Sequence, residues 1–226
     1  MYNQFIQERL PQQVSITPHA PYSVSDPLWK KIVAHNSNGL LSIHNQETED
    51  ETLWFTQKTG GFVDMFKGMG LNTDSFIASG KSSLQTYLSK FPIDIQLLLV
   101  HNVFTMEEDI VFSKQSKQPL FWCFCPNANY FISRLLPDLP MFLKAGADIV
   151  LGTDSLASNR QLSIWEEIQT LQKAFPEIQL QQFLQWATIN GAKALKIDTQ
   201  YGSFEKGKRP GVVNIKDGNA NHFALI

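Results

Sequence analysis

The 226-residue chain is 43% hydrophobic and 12% aromatic, enough apolar side chain to bury the core of one domain or slightly more. A formal net charge of −2 with 18% charged residues supplies no basic stripe for nucleic acid or an anionic membrane surface, and no run approaches the roughly 20 apolar residues of a membrane span. A small-molecule partner is expected, and MYNQFIQERL, without the apolar core or cleavage site of a signal peptide, reads as the start of a cytoplasmic protein.

Short apolar runs alternate with helix-spaced segments, the order of a parallel sheet with helical crossovers. The predicted strands are QVSIT (13–17), LLSIH (40–44), IQLLLVH (95–101), PLFWCFC (119–125) and ADIVLGTD (147–154). None alternates strictly, as expected of strands covered on both faces. Helices are predicted from Asp26-Pro27 to about 36, then over 48–58, 75–89, 106–117 and 139–145, where Gly146 stops the last. Two more follow, over 163–174 and 180–195. The stretch 60–73, GGFVDMFKGMGLNT, shows no clear period and is predicted as a mobile loop over the strand ends. Its Gly68-Met69-Gly70 lacks the third glycine of a dinucleotide turn, and its Phe62, Met65, Phe66 and Met69 suit either a flat heterocycle or ordinary packing. The tail is turn-rich, with two β-prone runs, GVVNI and HFALI. Cys123 and Cys125 read as reduced core residues, because two positions on one face of a strand bridge poorly.

Four of the five runs deliver a metal-capable or proton-transfer side chain at or just beyond their last residue: His19, His44, His101 and Asp154. The carboxyl ends of parallel strands are where loops converge on one crevice. Imidazoles with a carboxylate suit metal-assisted hydrolysis, in which a divalent ion acidifies water to a nucleophile near neutral pH. Glu47, three residues beyond His44, reads either as a proton carrier between that water and a leaving nitrogen or as an acid at a helix N-terminus. Glu49, Asp50 and Glu51 take the helix-terminal reading.

The stretches TPHAPYSVS (17–25), IHNQET (43–48), LLVHN (98–102), CPNANYFIS (125–133), LGTDSLASN (151–159), ATINGAKAL (187–195) and GSFEKGKRPGVV (202–213), in that order, resemble the C-terminal part of the amidohydrolase superfamily. The likeness is to its cytosine-deaminase-like aminohydrolases and chlorohydrolases. It implies an α/β fold: a partial (β/α)8 TIM barrel, strands four to eight, over 1–200, with part of a small β-sandwich appendage over 201–226. It implies His44, ending the fifth barrel strand, as a metal ligand. Asp154, ending the eighth, would be a second ligand that also takes a proton from the attacking water. Glu47 is implied as general acid/base, and His101 as a partner of the water or substrate, or as a ligand if two metals are present. His19 and Asn129 are implied as substrate contacts, with Ala128 replacing the serine that precedes Asn129 in the family. The implied cofactor is one divalent metal, zinc first, with iron or manganese as alternatives.

One departure stands out. The family's first strand ends in His-x-His, and the five histidines here, His19, His35, His44, His101 and His222, hold no such pair. A complete barrel takes about 250 residues, so the chain is expected to be a fragment lacking the first three βα units. Two open sheet edges would then expose LFWCF to water or another chain, favouring a homo-oligomer. His35 and His222 are read as structural. Two functions follow: a metal-dependent hydrolase that deaminates an aminated heterocycle or opens a cyclic amide or amidine, and, as the alternative, a catalytically silent fragment serving as an oligomeric scaffold or binding module.

Overall fold

The computed structural model describes residues 15–36, 38–216 and 219–223. After a 3₁₀ turn at Pro21–Ser23, the chain forms α1 (Asp26–Ala34), β1 (Leu40–Asn45), α2 (Glu49–Gln57), α3 (Gly61–Gly68), α4 (Ser83–Tyr87), β2 (Gln96–His101), α5 (Glu107–Gln115) and β3 (Leu120–Phe124). Then come α6 (Pro126–Ile132), α7 (Leu139–Lys144), β4 (Ile149–Leu151), α8 (Ile164–Ala174), α9 (Leu180–Gln185), a π-helical segment Trp186–Asn190, α10 (Gly191–Ala194), β5 (Val212–Lys216) and β6 (Asn219–Phe223). Four parallel strands lie in the sheet order β1-β2-β3-β4, the α/β architecture expected. β5 and β6 pair antiparallel, Val212 opposite Phe223; the rest of HFALI lies outside the described residues. The chain divides into two compact units. One holds the described residues up to Trp122 with Pro137–Ala147, the other Cys123–Leu136 and the residues from Asp148 onward.

In the first unit, β1 and β2 run parallel, Leu41 opposite Leu97 and Ile43 opposite Leu99. All four side chains are buried, and they anchor a register in which His44 faces Val100 and Asn45 faces His101. Around α2 gathers an aromatic cluster of Trp54, Phe55 and Phe66, with Tyr22, Phe62, Met65 and Phe76 against it. This cluster overturns the predicted loop over 60–73. Phe62, Met65 and Phe66 are spaced as one helical stripe, and they form α3 by packing on Trp54, whose ring lies 5.0 Å from that of Phe66. Gly60, at φ +88°, makes the turn into the helix, and the Gly61 N–H donates to Asp50 Oδ1 at 2.6 Å.

Other boundaries also move. The helix predicted over 75–89 begins only at Ser83, where the Ser82 hydroxyl accepts the Gln85 N–H. Before it, Gly80 at φ +71° and the bond from the Ser79 N–H to the Phe55 carbonyl hold an irregular path. Of QVSIT, residues 13 and 14 lie outside the described set and 15–17 form no regular element. That segment still lines β1: the Ser42 N–H donates to Thr17 Oγ1 at 2.9 Å, and the His44 N–H to the His19 carbonyl at 3.0 Å. LFWCF does not lie open to water, since Trp122, Cys123 and Phe124 are all buried; Trp122 packs edge-on against Phe142, 5.0 Å away.

In the second unit neither cysteine is in a disulfide and both are buried, as read from the sequence. Their sulfurs converge on Gly152, where a Cβ would stand 2.8 Å from the Cys123 sulfur and 3.1 Å from that of Cys125. The helix predicted over 180–195 is interrupted by its π-helical segment, whose Asn190 side chain donates to the Ile149 carbonyl at 2.9 Å. No helix among the described residues is long and apolar enough to cross a membrane.

Candidate metal and proton-transfer site

The carboxyl ends of β1 and β2 bring together four residues singled out from the sequence. The His44 ring packs edge-on to His19, centroids 4.5 Å apart, and nearly parallel to His101, centroids 5.1 Å apart. Glu47 closes the group, its Oε1 3.3 Å from His101 Nε2. His101 is fully buried, His44 and Glu47 are half-buried and His19 is exposed, so the cluster grades from protein interior to surface.

His44 Nδ1 lies 2.7 Å from the His19 carbonyl. A carbonyl only accepts, so Nδ1 carries the proton and Nε2 keeps the lone pair. A histidine ligating a metal through Nε2 is oriented this way. Nitrogens of His44 and His101 come within 4.8 Å of one another, and this pair of imidazoles fits a divalent ion of the zinc class.

Backbone strain marks the same place. Gln46 (φ 48°), His101 (φ 81°) and Asn102 (φ 63°) all adopt left-handed conformations, uncommon for non-glycine residues and concentrated at functional sites. What holds them is a buried polar network that sequence reasoning missed. Asn45 donates to Gln46 Oε1 at 3.1 Å and to Asn102 Oδ1 at 3.0 Å, and accepts from the Tyr87 hydroxyl at 2.8 Å. Gln46 donates to Asp109 Oδ2 at 2.6 Å and accepts from Thr105 Oγ1 at 2.6 Å. Glu51, read from sequence as a helix-terminal acid, lies in the first turn of α2 and is fully buried. Burial pushes its carboxyl up to about 7. Tyr22 joins the group: burial, with the negative charges of Glu47 and Glu51, pushes its phenol up to about 12. No signal in the sequence set Glu51 apart from Glu49 and Asp50, its neighbours in the same first helical turn.

In the second unit, Asp154 lies three residues beyond β4 in a left-handed conformation (φ 57°), and its Oδ2 accepts from the Ser158 hydroxyl. Asn129 is buried in α6, where its carbonyl accepts the Ser133 hydroxyl at 3.0 Å. A second buried carboxylate, Glu167, accepts the Asn127 N–H at 2.8 Å and the Asn159 amide at 2.7 Å, tying CPNAN to TDSLASN. Burial raises its pKa. His35, read as structural, ends α1 with its Nδ1 2.8 Å from the Lys31 carbonyl.

Residues 4–223 match the profile of the Amidohydrolase family. The 5-methylthioadenosine/S-adenosylhomocysteine deaminase of Thermoanaerobacter pseudethanolicus is 31% identical over 221 residues, spanning 93% of this chain and 46% of that protein. The crystal structure of Helicobacter pylori aminofutalosine deaminase in complex with methylthio-coformycin superposes with a TM-score of 0.74 at 28% identity, covering 87% of this chain and 48% of that one. An adenosine deaminase of Xanthomonas campestris with bound zinc shares the fold, with a TM-score of 0.67 at 24% identity over 88% of this chain and 42% of that one. The chain thus spans about half the length of the curated relatives it matches. The histidine-ended parallel strands, the IHNQET turn and a profile match over nearly every residue converge on one assignment: this chain belongs to the amidohydrolase family.

Proposed function

We propose that the protein serves hydrolytic deamination of a 6-aminopurine nucleoside or thionucleoside, the substrate class named for its relatives. The observation that carries this reading is the Glu47–His101 contact at 3.3 Å beside His44, a proton carrier set against two imidazoles. His44 would hold the metal through Nε2, with His101 beside it. Asp154, which follows the last sheet strand in the family's motif order, would supply the carboxylate ligand. A divalent ion held there, zinc in this reading, would supply the chemistry of acidifying a water to a nucleophile near neutral pH. The water oxygen bonds to the purine carbon, the carbon–nitrogen bond breaks and ammonia leaves. Asp154 would accept one proton of the water and Glu47 would carry the other to the departing nitrogen, with the Asp154 proton passing to the ring nitrogen of the oxo product. His19, the exposed end of the imidazole row, and Asn129 are assigned to substrate contact. The tail from 201, with its β5–β6 pair, is assigned to a β appendage, and the protein to the cytoplasm.

A second reading, a catalytically silent scaffold or binding module, is favoured by one observation: no two of the five histidines form a His-x-His pair. The test is metal content by plasma mass spectrometry and ammonia release from methylthioadenosine, adenosine and S-adenosylhomocysteine, for the 226-residue protein and its His44→Ala variant. Metal and turnover that are both lost in His44→Ala support deamination. Neither metal nor turnover in the unsubstituted protein overturns it for this chain and leaves the scaffold reading.

A further inference from the structure

We propose that Glu51 is the positioning residue that aims Glu47 at its partner, a role resting on the proton-carrier reading of Glu47. Glu51 Oε1 accepts the Gln46 N–H at 2.9 Å and Oε2 accepts the Glu47 N–H at 3.3 Å. Two consecutive amides thus converge on one carboxylate, an anion nest. Such a nest needs a left-handed residue, and Gln46 supplies it at φ 48°.

The arrangement differs from a helix cap. Thr48 is the N-cap of α2, which puts Glu51 at the third helical position. A capping-box glutamate there would bond the N–H of the cap residue itself. Glu51 instead reaches past it to the two residues before the helix.

A second carboxylate completes the clamp. Asp109 Oδ2 accepts the Gln46 amide at 2.6 Å and the Met106 N–H at 3.1 Å. Its Oδ1 accepts the Ser82 hydroxyl at 2.5 Å and the Gln85 amide at 2.9 Å. Gln46 is therefore held through its backbone by Glu51 and through its side chain by Asp109, both buried. With Gln46 immobile, the direction in which Glu47 leaves the main chain is set, and its carboxylate meets His101.

The test compares Glu51→Gln and Glu51→Asp with the unsubstituted 226-residue protein. In Glu51→Gln one acceptor oxygen becomes an NH₂ that confronts an amide N–H. Exchange of the Gln46 or Glu47 amide is expected to accelerate about tenfold, while Ile43 and Leu99 in the adjoining strands keep their protection. In Glu51→Asp the carboxylate survives on a shorter stem, so both amides lose protection together. For ammonia release, the expected loss in Glu51→Gln is about tenfold to a hundredfold in kcat with little change in KM. Unchanged exchange at Gln46 and Glu47, equal acceleration at Ile43 and Leu99, or an unaltered kcat with loosened amides would each overturn the assignment. An unsubstituted protein that releases no ammonia removes the deaminase reading of this chain, and the exchange measurement alone then decides whether Glu51 holds Glu47.

Discussion

Glu47 Oε1 stands 3.3 Å from His101 Nε2, and this contact joins the turn after β1 to the end of β2. Glu47 and the neighbouring His44 do different work in the proposed reaction, and substitution should separate them. Glu47→Gln is expected to lower kcat by about two to four orders of magnitude with metal content unchanged. His44→Ala is expected to lose metal and turnover together. Metal content and ammonia release, measured on the same preparations, check both.

Stability should report the buried charge of Glu51. Its carboxyl is pushed from the usual 4.5 up to about 7 by burial, so between those values the folded state binds a proton that the unfolded chain has released. The stabilisation is complete below about pH 4.5 and is lost as pH rises through 7. The difference is on the order of 3 kcal/mol. Glu51→Gln has no carboxyl to titrate at this position, so urea midpoints of the two proteins should diverge with a pH dependence confined to that window.

The aromatic cluster should carry α3. Phe66→Ala removes a buried ring 5.0 Å from Trp54, at an expected cost of about 3 kcal/mol. Proteolysis within 61–68 should accelerate, because that helix has the Trp54 cluster as its apolar seat.

Gly152 offers a cleaner steric test. A methyl group added there meets the Cys123 sulfur at 2.8 Å, and such overpacking costs about 1–3 kcal/mol. Cys123→Ala should recover much of the loss in the double variant. A double-mutant cycle on urea midpoints reads the coupling directly.

Much of the scaffold was legible because its strands are continuous apolar runs: LLSIH, IQLLLVH and FWCF all form sheet strands. His44 and His101, within the last residues of β1 and β2, were legible for the same reason, since a polar residue closing an apolar run is conspicuous. The clamp behind them was not. Asn45, Gln46, Asn102 and Asp109 look solvated when read singly, and only the left-handed turns at Gln46, His101 and Asn102 fold them onto one another. Glu51 hid within ETEDE, where four neighbouring acids share the same local explanation and one is buried by tertiary packing. The α3 helix failed for the opposite reason. The four glycines of 60–73 outweighed a Phe62–Met65–Phe66 stripe whose partner, Trp54, lies on the preceding helix.

The π-helical segment Trp186–Asn190 changes the phase of everything after it. An α-helix turns about 100° per residue, so an unbroken helix would carry Lys193 to within about 80° of the direction of Phe183, at the rim of the buried face. Accommodating one additional residue in the widened turn rotates Lys193 by about another 100°, directly away from Phe183. Lys193 is accordingly exposed between buried Ala192 and Ala194. Deleting one residue from 186–190 would therefore close the wide turn into ordinary α-helix without turning the lysine, which would stand nine residues from Phe183 and still about 180° away from it. The widened turn absorbs one residue of chain at constant phase, so the face presented after it is that of a helix one residue shorter.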